Sequence, residues 1–459
     1  MPARASRTSG DAEPSSGPPG PPEGLPALLE PLPAGPVRAR LAAPASKSVT
    51  NRALACAALA DGESRLRGPL RSDDAEAMRA AAAALGAASS ELDGDWLVRG
   101  TGGRPRSPAG PVDARLSGTT MRFVAALATL TPAGATVTGR PGLLARPVGP
   151  LTAALRALGA EVADRDGLPP VTVAGGGLAG GPVTVAAARS SQFASAVLLV
   201  APYARAPVEL VADGLGAPGY VELTAAVMGA FGAVVERAGV AAWRVEPGHP
   251  YRGRGYAVEY DASAAAHLFA VAAATGGTVT VTNADPASRQ PDAALPALLA
   301  GMGATVRRQG TALSVTGPPE LLPVDVDLAA MPDQVTTMAA LAALAPGRSR
   351  LRGVAVTRGH ETDRLAALAG ELAKLGVGVA ERPDGLEVRG GRAAGPARLA
   401  THGDHRLAMA FAALAARVPG VVIQDPGCVA KTYPGFWDDL AAAGLRWRAH
   451  PGEAAPSGG

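Results

Sequence analysis

The sequence predicts an α/β fold of six repeated units, arranged as two pseudo-symmetric lobes of three units each. Three observations predict it. First, six glycines (Gly86, Gly159, Gly232, Gly303, Gly376 and Gly444) recur 68 to 73 residues apart, each between a helix-like apolar segment and a short strand, as in "LRALGAEV" and "LLAGMGATV". Glycine suits the left-handed residue that ends a helix before the chain turns into a strand. Second, another series runs in step with the first. "SKSVTNRALACAALADGESRLRG", "SGTTMRFVAALATLTPAGATVTG" and four later segments each read as a capped start, an Ala-rich buried helix, a turn and an alternating strand. Third, a chain of 459 residues is too long for one small core, and units of this length are too long for solenoid repeats.

The elements follow in order. The first 28 residues are rich in Pro, Gly and Ser and are expected to form a disordered tail; without an apolar signal segment they predict a cytoplasmic protein. The six Ala-rich helices are expected to begin at Ser48, Thr119, Ser191, Ser263, Asp333 and His405. Each start offers unpaired N–H groups and the positive end of a helix dipole. Equivalent helices in symmetric lobes can aim these ends at one place, which would make an anion trap.

Composition narrows the function. The net charge is +3 with both signs interspersed, which gives no clustered basic face for nucleic acid. No apolar run reaches the length of a membrane span. The two cysteines, Cys56 and Cys428, make neither a disulfide framework nor a zinc site, and His402 with His405 lacks further ligands nearby, so no metal is expected. Cys56 falls in a buried helix pattern, and Cys428 reads as structural.

Of 43 basic residues only Lys47, Lys374 and Lys431 are lysine. Arginine grips phosphate or carboxylate with a planar fork, whereas the pKa of a crowded lysine can fall until it transfers a proton. That is a reason for Lys47 and Lys431 to persist; Lys374 reads as a solvated surface residue. Lys47, Ser48 and Arg52 open the first helix. Arg122 follows "SGTTM", Arg146 lies in "LARPVG", and "RSSQF" supplies Ser190, Ser191 and Gln192. "GHETDRL" supplies His360, Glu361 and Arg364, and "GDHR" supplies Asp404, His405 and Arg406. Asp333 and Glu361 stand at element starts amid apolar sequence. Each is either a helix cap or an acid–base group. Gly214-x-Gly216-x-x-Gly219 imitates a dinucleotide fingerprint, but the repeat register leaves no room there for a separate parallel sheet.

Taken together, "PASKSVTNRAL", "SGTTMR", "RPVG", "SSQF", "YDAS", "PDQ", "HETDRL", "GDHRLAM" and "DPGCVAKTYP" resemble, in order, the EPSP synthase branch of the enolpyruvyl transferases, over about residues 30 to 445. The resemblance implies two lobes with helices inside and sheets outside, closing on substrate. Residues 29–45 plus 258–449 would form the lobe carrying the phosphoenolpyruvate side and the acid–base residues. Residues 46–257 would form the shikimate 3-phosphate lobe, and 450–459 a flexible end. It implies transfer of an enolpyruvyl group from phosphoenolpyruvate to the 5-hydroxyl of shikimate 3-phosphate, without metal or organic cofactor, by a monomer.

By motif position, Lys47, Ser48, Arg52, Ser190, Ser191, Gln192, Asp333 and His360 would hold shikimate 3-phosphate. Lys47, Gly118, Arg146, Gln192, Arg364, Arg406 and Lys431 would hold phosphoenolpyruvate. Asp333, Glu361 and Lys47 would be catalytic, Asp333 receiving the hydroxyl proton and Glu361 acting at the methylene carbon. Retention of Gly118 implies inhibition by glyphosate. Ala217, Leu116, Val356 and His360 depart from common residues of the family and put binding details in question. Three other readings compete with this one: the sister enzyme acting on UDP-N-acetylglucosamine, which uses a loop cysteine; a dinucleotide-dependent oxidoreductase using the Gly214 loop; and an inactive ligand-binding relative.

Overall fold

The computed structural model describes residues 25–216 and 218–450. The expected tail thus falls almost wholly outside the described residues, as do Ala217 and 451–459. Where they are described, the two ends are paired: Leu28 begins the strand Leu28–Leu32 and His450 ends the strand Arg446–His450.

The described residues form six four-stranded sheets. The third unit shows the plan. Strand Gly181–Ala186 runs parallel to Val208–Asp213, and the inner helix Gln192–Val200 makes the crossover between them. Val208–Asp213 pairs antiparallel with Ala242–Val245, which completes a hairpin with Val235–Gly239. An outer helix, Gly219–Ala230, leads into that hairpin. The Gly214 loop is therefore the link from a mixed sheet to an outer helix, not the first turn of a parallel dinucleotide sheet.

Two units borrow a strand. In the first, Gly255–Ala257 pairs parallel with Glu63–Arg67; in the fourth, Arg38–Leu41 pairs parallel with Thr278–Val281. Leu28–Leu32 also inserts between Val421–Gln424 and Arg446–His450. Strands near the start of the chain thus pair with strands from its second half. The described residues pack into two separate cores. One packs residues from Val49 to Tyr251, and the other packs Leu29, Val37 and Ala43 with residues from Tyr260 to Leu445.

The inner helices Lys47–Leu59, Gly118–Ala128, Gln192–Val200, Ala262–Thr275, Val335–Leu344 and His405–Ala415 are buried almost all round. Alanine permits this, because a helix apolar on every face needs close neighbours and small side chains admit them. All six repeat glycines have positive φ, between 74° and 100°.

The expected helix starts need correction. The observed N-caps are Ser46, Ser117, Asp261 and Asp404, in extended backbone, with side chains accepting from Val49, Thr120, Ala264 and Arg406 N–H respectively. Only Ser191 caps as expected, and it makes no side-chain bond. Asp333 lies in a 3₁₀ turn, Pro332–Gln334, that feeds the fifth helix. A capping side chain must precede the first turn to reach back into it. Ser48, Thr119, Ser263 and His405 therefore sit inside their helices.

Candidate active site

A cavity of about 320 Å³ lies between the lobes. Its wall includes Lys47 and Ser48 from the first inner helix, Thr119 from the second, Gln192 from the third, Asp333 before the fifth and Arg406 from the sixth. Five of the six inner helices thus present their N-terminal turns to one cleft. The fourth lies behind it, where Asp261 accepts from the Lys47 N–H at 3.0 Å.

On the side of residues 46–257, Ser190, Ser191 and Gln192 form one wall and Arg52 another. Arg52 is buried, and among the described residues no carboxylate pairs with it. Nε donates to Thr224 Oγ1 at 2.7 Å, Nη1 to the Ser48 carbonyl and Nη2 to the Tyr220 carbonyl. Burial lowers its pKa to about 10. Gln192 Oε1 accepts from Arg122 Nη1 at 2.6 Å, and the Arg122 guanidinium lies over the Phe193 ring. Burial, with Arg146 adding to it, lowers the Arg122 pKa to about 9. An anion here meets cations already stripped of water.

Across the cleft the charges interlock. Asp333 Oδ1 accepts from Arg364 Nη1 at 2.6 Å and lies 3.2 Å from His360 Nδ1; Asp333 Oδ2 lies 3.1 Å from Arg406. Burial pushes this carboxyl up, but Arg406, Arg364 and His360 outweigh it and hold it well below the usual carboxylate range. Glu361 lies 3.0 Å from Lys431, 3.1 Å from Arg364 and 3.9 Å from Arg146. Against burial, Lys431, Arg146 and Arg364 depress it in the same way. Both acids are therefore ionised.

The expectation that crowding lowers the Lys431 pKa is not met. Burial does act downward, but Glu361 and Asp74 prevail and raise it. Lys47 has its own carboxylate, Asp74, at 3.4 Å. Arg364 is less open than the motif suggests. Its side chain is 1% exposed and every guanidinium nitrogen is engaged, so it braces the acids from behind the cavity wall. Gly118 explains itself by space: a Cβ there would meet Arg122 Nη1 and Arg146 Nη1, each at 3.2 Å.

Five residues absent from the motif assignment also belong here. His405 is buried and, among the described residues, neither ring nitrogen has a hydrogen bond, Asp404 lying 3.8 Å from Nδ1; burial, aided by Lys47, Arg406 and Lys431 against Glu361, keeps it neutral. Tyr220 lines the cleft. Asp74, Asp404 and Arg122 support Lys47, Arg364 and Gln192. Arg122 and Asp404 were visible in their motifs; Tyr220 and Asp74 carried no local signal. His402 does not join His405, pairing instead with Glu371 at 3.0 Å. Val356 and His360 line the cavity, and Leu116 offers its carbonyl to Lys431. Burial pushes the Cys428 thiol up to about 12 and the Cys56 thiol further, so neither is a ready thiolate.

The fold and cleft define a two-lobed enzyme architecture shared with the enolpyruvyl transferase NikO from Streptomyces tendae, with a TM-score of 0.74 at 19% identity over 92% of this chain and 98% of that one. EPSP synthase from Acinetobacter baumannii superposes with a TM-score of 0.79 at 25% identity, covering 92% of this chain and 99% of that chain. The family model for EPSP synthase (3-phosphoshikimate 1-carboxyvinyltransferase) matches residues 32–440. A 3-phosphoshikimate 1-carboxyvinyltransferase from Methanoculleus marisnigri is 42% identical over 415 residues, 90% of this chain and 98% of the relative. The chain belongs to the EPSP synthase family.

Proposed function

We propose that the protein transfers the enolpyruvyl group of phosphoenolpyruvate to the 5-hydroxyl of shikimate 3-phosphate, releasing phosphate and forming 5-enolpyruvylshikimate 3-phosphate on the route to chorismate. Family membership supports the reaction. The observation that carries the site assignment is the convergence of Lys47, Arg52, Arg406 and Asp333 on one cleft, with Arg364 joining Asp333 to Glu361, which in turn lies beside Arg146 and Lys431.

Shikimate 3-phosphate sits against Ser48, Arg52, Ser190, Ser191 and Gln192, with its ring toward Asp333 and His360. Phosphoenolpyruvate sits deeper, on Gly118, Arg146, Arg406 and Lys431, with Arg364 bracing the acids behind them rather than gripping the substrate, and Lys47 and Gln192 face both substrates. The entering anion competes with Glu361 for Arg146 and Lys431. As the anion draws Lys431 and Arg146 away from it, Glu361 takes up a proton from solvent and delivers it to the methylene carbon of phosphoenolpyruvate, whose neighbour becomes electrophilic; Glu361, then a carboxylate again, receives the methyl proton lost later. The 5-hydroxyl attacks that neighbour while its proton leaves toward Asp333. Loss of a methyl proton and departure of phosphate then complete the transfer. Fixed cations stabilise charge in the tetrahedral intermediate without reorganising.

The working form is a cytoplasmic monomer with no nucleic-acid or membrane partner; among the described residues no helix is long and apolar enough to cross a membrane. The decisive test is phosphate release from phosphoenolpyruvate with and without shikimate 3-phosphate, repeated with Asp333→Ala. Release that ignores the sugar phosphate rejects the function. Full activity in the variant rejects only the proposed base.

A further inference from the structure

Three successive residues, Gln290, Pro291 and Asp292, reach from one lobe to the other outside the cation cluster. Gln290 Oε1 accepts from Ser46 Oγ at 2.9 Å, at the cap of the first inner helix. Pro291 packs on Gly219, so tightly that a Cβ on Gly219 would lie 2.6 Å from the proline ring. Asp292 is 1% exposed, and its Oδ2 accepts from the Tyr220 hydroxyl. Tyr220 belongs to the opposite lobe, lines the cleft, and gives its carbonyl to Arg52. The other oxygen of Asp292 accepts from Gln334 Nε2 at 2.5 Å. Gln334 is the chain neighbour of Asp333 in the same 3₁₀ turn. A continuous path therefore runs from Arg52 through Tyr220, Asp292 and Gln334 to Asp333.

We infer that Gln290–Pro291–Asp292 is the latch that couples closure of the lobes to the placement of Asp333, with Asp292 a positioning residue. It touches no reacting atom. It ties the wall beside Arg52 to the turn that carries Asp333, so that turn is seated only when the lobes are together. Gly219 belongs to the device because a side chain there would hold the lobes apart. The inference rests on the enolpyruvyl transfer reading.

The wild-type protein is first shown to release phosphate only with shikimate 3-phosphate; failure at that point rejects the underlying reading, and the latch with it. Three variants then test the latch itself. Tyr220→Phe removes one hydroxyl, Asp292→Asn changes one carboxyl, and Gly219→Ala adds one methyl at a helix start, where alanine is the better helix former. Each should lower kcat at least about tenfold, as loss of a hydrogen bond to a carboxyl would. The Tyr220→Phe/Asp292→Asn double variant should be no slower than its slower parent, since both remove one contact. Gly219→Ala should keep the unfolding midpoint of the free protein. Shikimate 3-phosphate should compact the wild-type protein in small-angle scattering and leave Gly219→Ala uncompacted; a wild-type protein that does not compact also overturns the latch. A kcat loss below tenfold, losses that multiply in the double variant, or full compaction in Gly219→Ala would overturn the latch.

Discussion

Arg364 grips Asp404 through two bonds, Nε to Oδ2 at 2.7 Å and Nη2 to Oδ1 at 3.2 Å, in a pair almost wholly out of water. The free edge of the same guanidinium holds Asp333 and Glu361. One planar group therefore sets the spacing of the two acids. Lysine, a point charge with rotating donors, cannot reproduce four such directions. Arg364→Lys is expected to lower kcat about 100-fold through misplacement of the acids. Arg364→Met, which strips a buried pair of one partner, should cost about 3–5 kcal/mol in urea unfolding. Normal turnover in the lysine variant would show that the acids keep their spacing without the fork.

Asp333 and Glu361 are held as carboxylates by surrounding cations, so each can receive a proton only as charge develops nearby. Asp333→Asn and Glu361→Gln are each expected to reduce kcat by a factor of about 10²–10⁴, the range for removal of a general acid or base. Single-turnover phosphate release at saturating substrates measures this directly. Retained rates would move the proton transfers to other groups.

Stability should fall in two stages as pH is lowered. His267 and His405 are buried, and burial pulls both well below the usual histidine pKa, so the unfolded chain takes up protons that the folded one refuses. Stability is then lost below about pH 6.5, the unperturbed histidine value. Asp333 and Glu361 are depressed in the folded state, so their contribution is complete above about pH 4 and disappears as pH drops from there toward the folded values. Urea midpoints between pH 8 and pH 3 should trace both limbs, and His267→Phe should flatten the first. A midpoint flat from pH 7 to pH 4 contradicts the sign argument.

Gly118→Ala asks for a few tenths of an ångström from Arg122 and Arg146, whose nearest atoms would lie 3.2 Å from the new methyl. Displacement of Arg146 from its place beside Glu361 would weaken the proposed hold on phosphoenolpyruvate. The KM for phosphoenolpyruvate should rise about tenfold, with affinity for shikimate 3-phosphate within about threefold of wild type. Equal losses for both substrates would point to damage of the whole second helix.

Arg52 pays for its burial without a carboxylate partner, which leaves its charge available to an arriving phosphate. Arg52→Lys should weaken shikimate 3-phosphate binding about 10- to 100-fold in calorimetry, the value of a charge-assisted contact. Unchanged affinity would remove Arg52 from that subsite.

Much of the architecture was legible along the chain. Glycine is so favoured where φ must be positive after a helix that Gly86 through Gly444 marked all six units. The Ala-rich runs marked helices buried on every face. The cap positions were misread by one or two residues because Ser46 and Ser48, or Asp261 and Ser263, are equally good capping types; only the backbone angle before the first turn separates them. The role of Arg364 was half legible, since the motif shows a cation but not that its nitrogens are already engaged.

The sequence by itself determined the number of units, their order, and the residues able to carry charge into a site, because helix period, glycine geometry and functional-group chemistry are local properties. Tertiary structure alone decided which charges meet: Lys47 with Asp74, Arg364 with Asp404, and Tyr220 with Asp292 across the cleft. These pairs lie 27 to 72 residues apart in the chain. They form only when strand pairing and the close approach of alanine-rich helices have fixed where each unit stands, and nothing in the spacing of residues encodes that approach.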